Sequence, residues 1–129
     1  MKLLMGIAIA GASATVALLA TATPTTAQTP AAAPAAFNAC KACHTVNKGG
    51  RNGIGPNLNG VVGRPAASVA GFNYSPAMKS AKITWSATTL DSYVTSPAKV
   101  VPGNKMAFAG LATPADRANL IAYLQGATK

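Results

Sequence analysis

The chain has 129 residues, half of them hydrophobic and 10% charged, with eleven Lys and Arg against two Asp and Glu, a formal net charge of +9. The basic residues stand singly and no nucleic-acid-binding motif accompanies them, so the charge points to acidic partners or an anionic membrane face rather than to nucleic acid. With two cysteines and one histidine in all, a zinc site built from two ligand pairs is excluded.

Met1 and Lys2 precede an apolar run from Leu3 to Ala20, the n-region and h-region of a signal peptide over residues 1–27. Small-residue cleavage options lie at Ala20-Thr21-Ala22 and Thr25-Thr26-Ala27. The alternative is an uncleaved anchor, since about 18 apolar or small residues just span a bilayer. Gly, Ala, Ser and Thr dilute the run and favour cleavage, which places the mature chain in the periplasm. Residues 28–36 continue an Ala/Pro/Thr-rich stretch that buries too little apolar surface to order itself, and they read as a linker. Residues 37–129 are then a single domain, marginal for an apolar core built from side chains alone.

Pro34 suits the first turn of a short helix running through Phe37 into Cys40-Lys41-Ala42-Cys43-His44. This pentapeptide is the pattern of a c-type haem attachment site. Two thiols add across the two vinyl groups of one haem, the intervening pair sets their separation over the ring, and the adjoining imidazole reaches the iron as an axial ligand. A thioredoxin-like redox pair would want a preceding strand and a parallel sheet, for which the sequence has no pattern. A Cys40–Cys43 disulfide stays open as a lesser alternative, because an exported protein meets an oxidising compartment. A covalent haem would supply the core volume that the side chains lack.

From Thr45 to Ser75 the chain is rich in glycine and shows neither helical nor strand periodicity, which predicts an ordered loop. A short helix is expected within 75–82. Ser86 caps another over 87–96, ended by Pro97, with Leu90, Tyr93 and Val94 as its buried face. The last helix has Thr113 as N-cap, Pro114 at its first position and Asp116 at its third. Arg117, Leu120, Ile121 and Leu124 share one face, and Gly126 is its expected end. The pattern is all-α: a small single domain of short helices and long loops around one covalently bound haem c.

The second axial ligand is open to few side chains. No further His or Cys exists, which leaves Met78 and Met106 once the signal peptide is gone. Met78, between Ala77 and Lys79, reads as a surface residue of its helix. Met106 sits in Pro102-Gly103-Asn104-Lys105-Met106-Ala107-Phe108, a Pro/Gly-held loop able to carry a thioether to iron. A neutral, soft thioether favours reduced iron and raises the potential relative to two imidazoles.

From Phe37 onward the chain resembles the class I cytochromes c of the mitochondrial cytochrome c and bacterial cytochrome c2 type. CKACHTVNKGGRNGIGPNLNGVVGR, GFNYS, ITW, LDSYVTSPAKVVPGNKMAF and DRANLIAYL follow in the order and spacing of that family. The resemblance implies a helical shell around one haem c, held by Cys40 and Cys43 and ligated by His44 and Met106. It implies that the Pro56 carbonyl accepts from the other ring nitrogen of His44 and that Arg64, Tyr74 and Trp85 hydrogen-bond a buried propionate. Tyr93 and Asn104 match positions near the methionine sulfur, and Gly55, Gly63 and Gly103 match backbone requirements. Two departures stand out. The N-terminal helix is short and lacks the family's packing glycine, Ala32 or a neighbour taking its place. Ala39, Gly53 and Ala98 replace lysines around the exposed haem edge, while Lys99 and Lys105 remain, so docking should depend less on salt.

The function expected is that of a monomeric one-electron carrier, not an enzyme, cycling Fe(II) and Fe(III) between membrane or soluble redox complexes. Its expected partners are donors of the quinol-cytochrome c reductase type and terminal oxidases or reductases. The alternatives are a tethered or dedicated haem c subunit of an oxidase, reductase or dehydrogenase, and a ligand-binding or peroxidase-like haem protein. The latter lacks a visible distal acid or base, because His44 is already used.

Overall fold

The computed structural model describes residue 11 and residues 32–127; the expected signal peptide, Gly11 aside, and the first part of the expected linker lie outside the described residues. A 3₁₀ turn, Ala35–Phe37, leads into α1 (Asn38–Lys41). There follow α2 (Pro76–Ser80), α3 (Ala87–Thr95), α4 (Pro97–Val100) and α5 (Pro114–Ala127). Among the described residues there is no strand, only an isolated antiparallel bridge between Pro65 and Thr84. The all-α expectation therefore holds.

Local chemistry sets most boundaries. Ser86 and Thr89 cap α3 reciprocally: Thr89 N–H donates to Ser86 Oγ at 3.1 Å and Ser86 N–H to Thr89 Oγ1 at 2.7 Å. Thr113 O accepts from Arg117 N–H at 3.2 Å, the first intrahelical bond of α5, with Pro114 at its first position. Pro34 stands one position outside the 3₁₀ turn as its N-cap, in extended backbone.

Two boundaries differ from expectation. Pro97 does end α3, but it also begins α4, because the ring that blocks continuation is preset for a first helical turn. Gly126 does not end α5, which runs to Ala127. A glycine in an exposed last turn costs about 1 kcal/mol relative to alanine, too little to stop a helix already propagated.

Leu120, Ile121 and Leu124 of α5 pack with Leu90 and Tyr93 of α3, Phe37, Val61, Trp85 and Val101 in one core. Each such side chain removed from water contributes about 1.5–3 kcal/mol. Val94, expected on the buried face of α3, is half-buried. Despite its shortness the N-terminal segment docks: Phe37 is buried and meets the Tyr123 ring with centroids 4.9 Å apart. Arg117 ties α5 to α3 and to the chain before it. Its Nε donates to Asp91 Oδ1 at 2.8 Å and its Nη1 to the carbonyls of Leu111 and Ala112, each at 2.9 Å.

The loop over 45–75 is ordered by side-chain amides. Asn57 is buried; its Nδ2 donates to Thr45 Oγ1 at 2.6 Å and to the Asn47 carbonyl at 3.0 Å. Asn59 Nδ2 reaches the Val46 carbonyl at 3.1 Å. These bonds stand in for a ladder and leave no buried side-chain nitrogen or oxygen unpaired among the described residues.

Candidate functional site

The end of α1 presents three functional side chains from one turn. Cys43 N–H and His44 N–H both donate to the Cys40 carbonyl, at 3.0 and 2.9 Å, so the thiols and the imidazole follow one another along a single bend of chain. Both cysteines are free and half-buried. Burial, and secondarily the neighbouring Cys43, push the Cys40 thiol above its usual range, keeping it protonated at neutral pH.

His44 Nδ1 lies 2.7 Å from the Pro56 carbonyl oxygen. A carbonyl only accepts, so Nδ1 carries the proton and Nε2 keeps its lone pair. Burial lowers the His44 pKa against the opposing pull of the Pro56 bond, and the ring is held neutral, the form that binds metal. Gly55 lets the ring sit there. A Cβ at that position would fall 2.6 Å from Nδ1 and 2.7 Å from Nε2.

Met106 is positioned by its own loop. Asn104 Oδ1 accepts from Met106 N–H at 2.9 Å, and Asn104 Nδ2 donates to the Val101 carbonyl at 2.9 Å. Both polar atoms of Asn104 thus hold backbone, a positioning duty that its sequence match did not suggest. Gly103 takes a positive φ of 86°. Farther on, Leu111 N–H donates to Val94 O at 2.8 Å. Gly110, at φ 117°, passes so close to α3 that a Cβ would lie 2.9 Å from the Thr95 carbonyl carbon.

These elements enclose one largely apolar cleft of about 240 Å³. All ten residues singled out from the sequence line it: Cys40, Cys43, His44, Pro56, Arg64, Tyr74, Trp85, Tyr93, Asn104 and Met106. Arg64 donates from Nη1 to the Asn59 carbonyl at 2.8 Å and from Nη2 to the Asn57 carbonyl at 3.0 Å. Tyr74 Oη accepts from Val69 N–H at 3.2 Å, and its own proton is left to donate. The Trp85 and Tyr93 rings lie 4.9 Å apart. Burial pushes the Tyr93 phenol up to about 12, so it stays neutral at any physiological pH.

Met78 is a correction. Expected on the surface of its helix, it is half-buried, packs on the core and lines the same cleft as Met106. Ala77, Met78 and Ala81 all lean on the core, and this i, i+1, i+4 set was a legible amphipathic signal that the polar neighbours obscured. Ile54 is a second omission: it lines the cleft yet is 82% exposed, at the rim.

The residues present suit a covalent haem c. Two free thiols stand beside a neutral imidazole with a free Nε2, a thioether shares the same apolar cleft, and a glycine cradle fits the imidazole ring. Comparison with known proteins agrees. The family described as Cytochrome c matches residues 30–128. Cytochrome c2 iso-2 of Magnetospirillum fulvum is 53% identical over 93 residues, 72% of this chain and 96% of that protein. A cytochrome c of Chlamydomonas reinhardtii is 53% identical over 69% of this chain and 80% of its own. Among solved structures, cytochrome cH from Methylobacterium extorquens superposes with a TM-score of 0.65 at 43% identity, covering 70% of this chain and 90% of that one. The chain belongs to the cytochrome c family, all-α carriers of electrons with a covalently bound haem c.

Proposed function

We propose that this chain is an exported, periplasmic one-electron carrier whose haem c is held by Cys40 and Cys43 and ligated by His44 and Met106. The observation that carries the reading is the His44–Pro56 bond. It commits Nδ1 to a carbonyl and leaves Nε2 as the lone pair available in a cleft that Met106 also lines. When bound, the haem supplies a single redox centre that alternates between ferrous and ferric iron.

The chain's own residues do the rest. Pro56 fixes the tautomer and plane of His44 and raises the basicity of Nε2. The Asn104 amide sets the backbone on which Met106 hangs. Arg64, Tyr74 and Trp85 line the cleft and would be the donors to a buried propionate, Arg64 staying charged although burial lowers its pKa. A closed ligand set leaves little to reorganise on electron transfer and no site for substrate, which supports a carrier rather than an enzyme. Its partners are membrane or soluble redox complexes, quinol-cytochrome c reductase-type donors and terminal oxidases or reductases. Among the described residues no helix is long and apolar enough to cross a membrane.

The test is the far-red absorption of the ferric, haem-loaded protein. The weak thioether-to-iron charge-transfer band should be present near neutral pH and absent from Met106→Ala. A wild-type protein without the band would have open or otherwise ligated iron, and the carrier reading would give way to ligand binding.

A further inference from the structure

The described chain brings two thioethers to one cleft, and only Met106 has a part so far. Met78 is fixed from both sides. Ser75, 4% exposed, accepts from Met78 N–H through its Oγ at 3.0 Å, and Pro76 presets the turn. One residue before Met78, α2 touches the methionine loop: a Cβ on Gly103 would lie 3.4 Å from Ala77 Cβ. Two residues before Ser75, the Asn73 carbonyl accepts from Lys105 Nζ, and that ammonium lies 5.5 Å over the Phe72 ring. Segment 72–78 is therefore fastened to the loop 103–106, and Met78 and Met106 line one cleft from these two joined segments.

We propose that Met78 is a positioning residue for Met106: its apolar thioether keeps water and small polar ligands from the Met106 side of the cleft and so favours Met106 on the iron. This rests on the reading of Met106 as ligand. The chemistry is a competition in which an incoming nitrogen donor forms a bond to ferric iron as the iron–sulfur bond breaks, with no change of oxidation state. An unbranched, polarisable side chain fills an irregular wall without offering hydrogen bonds. A polar side chain there would give water the partners it needs to remain. The apolar shell around a metal governs solvent access to it, and that access lowers the barrier to exchange.

The experiment is an imidazole titration of the full-length, ferric, haem-loaded protein, followed by loss of the far-red band. Met78→Gln keeps the length and adds polarity; Met78→Leu keeps the apolar character. The band should persist in both without imidazole. Met78→Gln should bind imidazole about fivefold more tightly than wild type, roughly 1 kcal/mol, and Met78→Leu within about twofold of wild type. If the glutamine variant does not hold haem, Met78→Ser makes the same comparison with a smaller polar group. Unchanged affinity in the polar variant, or an equal rise in Met78→Leu, overturns the proposal while the band in wild type keeps Met106 as ligand. Absence of the band from wild type overturns both.

Discussion

His44 donates its Nδ1 proton to the Pro56 carbonyl across 2.7 Å, and the ring occupies the space that a side chain at the preceding Gly55 would need. A methyl group at Gly55 would meet three ring atoms at once, and its neighbours are backbone-locked: Gly55 N–H donates to the Cys43 carbonyl and Gly55 O accepts from Gly53 N–H, each at 2.9 Å. Gly55→Ala should therefore cost about 1–3 kcal/mol by overpacking and tilt the imidazole. Denaturant unfolding together with the Soret band of the loaded protein checks this. A variant with wild-type stability and spectrum would show that the ring can give way.

Gly110 supplies a sharper contrast. Its φ of 117° and its approach to the Thr95 carbonyl make a side chain there both strained and blocked. Gly63, at φ 93°, has open space around its would-be Cβ and pays for the backbone conformation alone. Gly63→Ala should cost about 1–2 kcal/mol, and Gly110→Ala about 2–5 kcal/mol from strain and overlap together. Since Gly110 fastens the methionine loop to α3, its variant should also weaken the far-red band, which Gly63→Ala should leave alone. Thermal unfolding and the ferric spectrum of both variants decide it.

Much of this was legible before any coordinates, and the division has a physical basis. Short-range chemistry speaks through sequence: Ser86 and Thr89 are three residues apart, Thr113-Pro114 is a local helix start, and Cys40 to His44 is one turn of chain. The ten residues singled out from the sequence come from segments spread over 40–106, and it is the ordered match of those segments to one family, not locality, that put them in one cleft before the fold was known. Long-range accommodation is silent. Asn57 looks like any loop asparagine until Thr45 and Asn47 appear beside it. Gly110 is one glycine among twelve until α3 is packed against it. Met78 is an intermediate case, a local apolar set with Ala77 and Ala81 that its polar neighbours mask. Pro97 reads as a stop because its effect on the preceding turn is steric, and the same ring, preset for a first turn, also begins α4.

Tyr93 makes stability depend on alkaline pH. The residue is 8% exposed and its pKa is raised by burial from 10.0 to about 12. Between those values the unfolded chain loses a proton that the folded chain keeps. The contribution is thus fully present below pH 10 and is lost as pH rises through 12. Two pKa units correspond to about 2–3 kcal/mol. Tyr93→Phe has no phenol to ionise, so from pH 9 to 12 the wild type should lose about 2 kcal/mol more than the variant. Guanidinium unfolding at the two pH values measures the difference; parallel losses would mean that the folded phenol ionises near its ordinary value.

The rim of the cleft predicts how the chain meets its partners. Ile54 is 82% exposed there, Ala39 lines the same cleft, and Ala39, Gly53 and Ala98 stand at positions for which the resemblance implies lysine. Of the remaining cations, Lys105 is held by the Asn73 carbonyl and the Phe72 ring, neutral groups that fix its place and keep its charge, so the steering field is reduced only by the lysines that are replaced. Raising ionic strength from about 0.01 to 0.15 M shrinks the Debye length from about 30 to about 8 Å. Over that range the second-order electron-transfer rate with a membrane redox complex should fall less than about threefold. Ile54→Lys should steepen the slope by adding a steering charge. Ile54→Ser should lower the rate at every salt concentration and leave the slope alone, because a contact that works by excluding water is not screened by ions. Stopped-flow rates against ionic strength for the three proteins distinguish these outcomes, and a steep fall for the unsubstituted chain would mean that the scattered lysines steer docking after all.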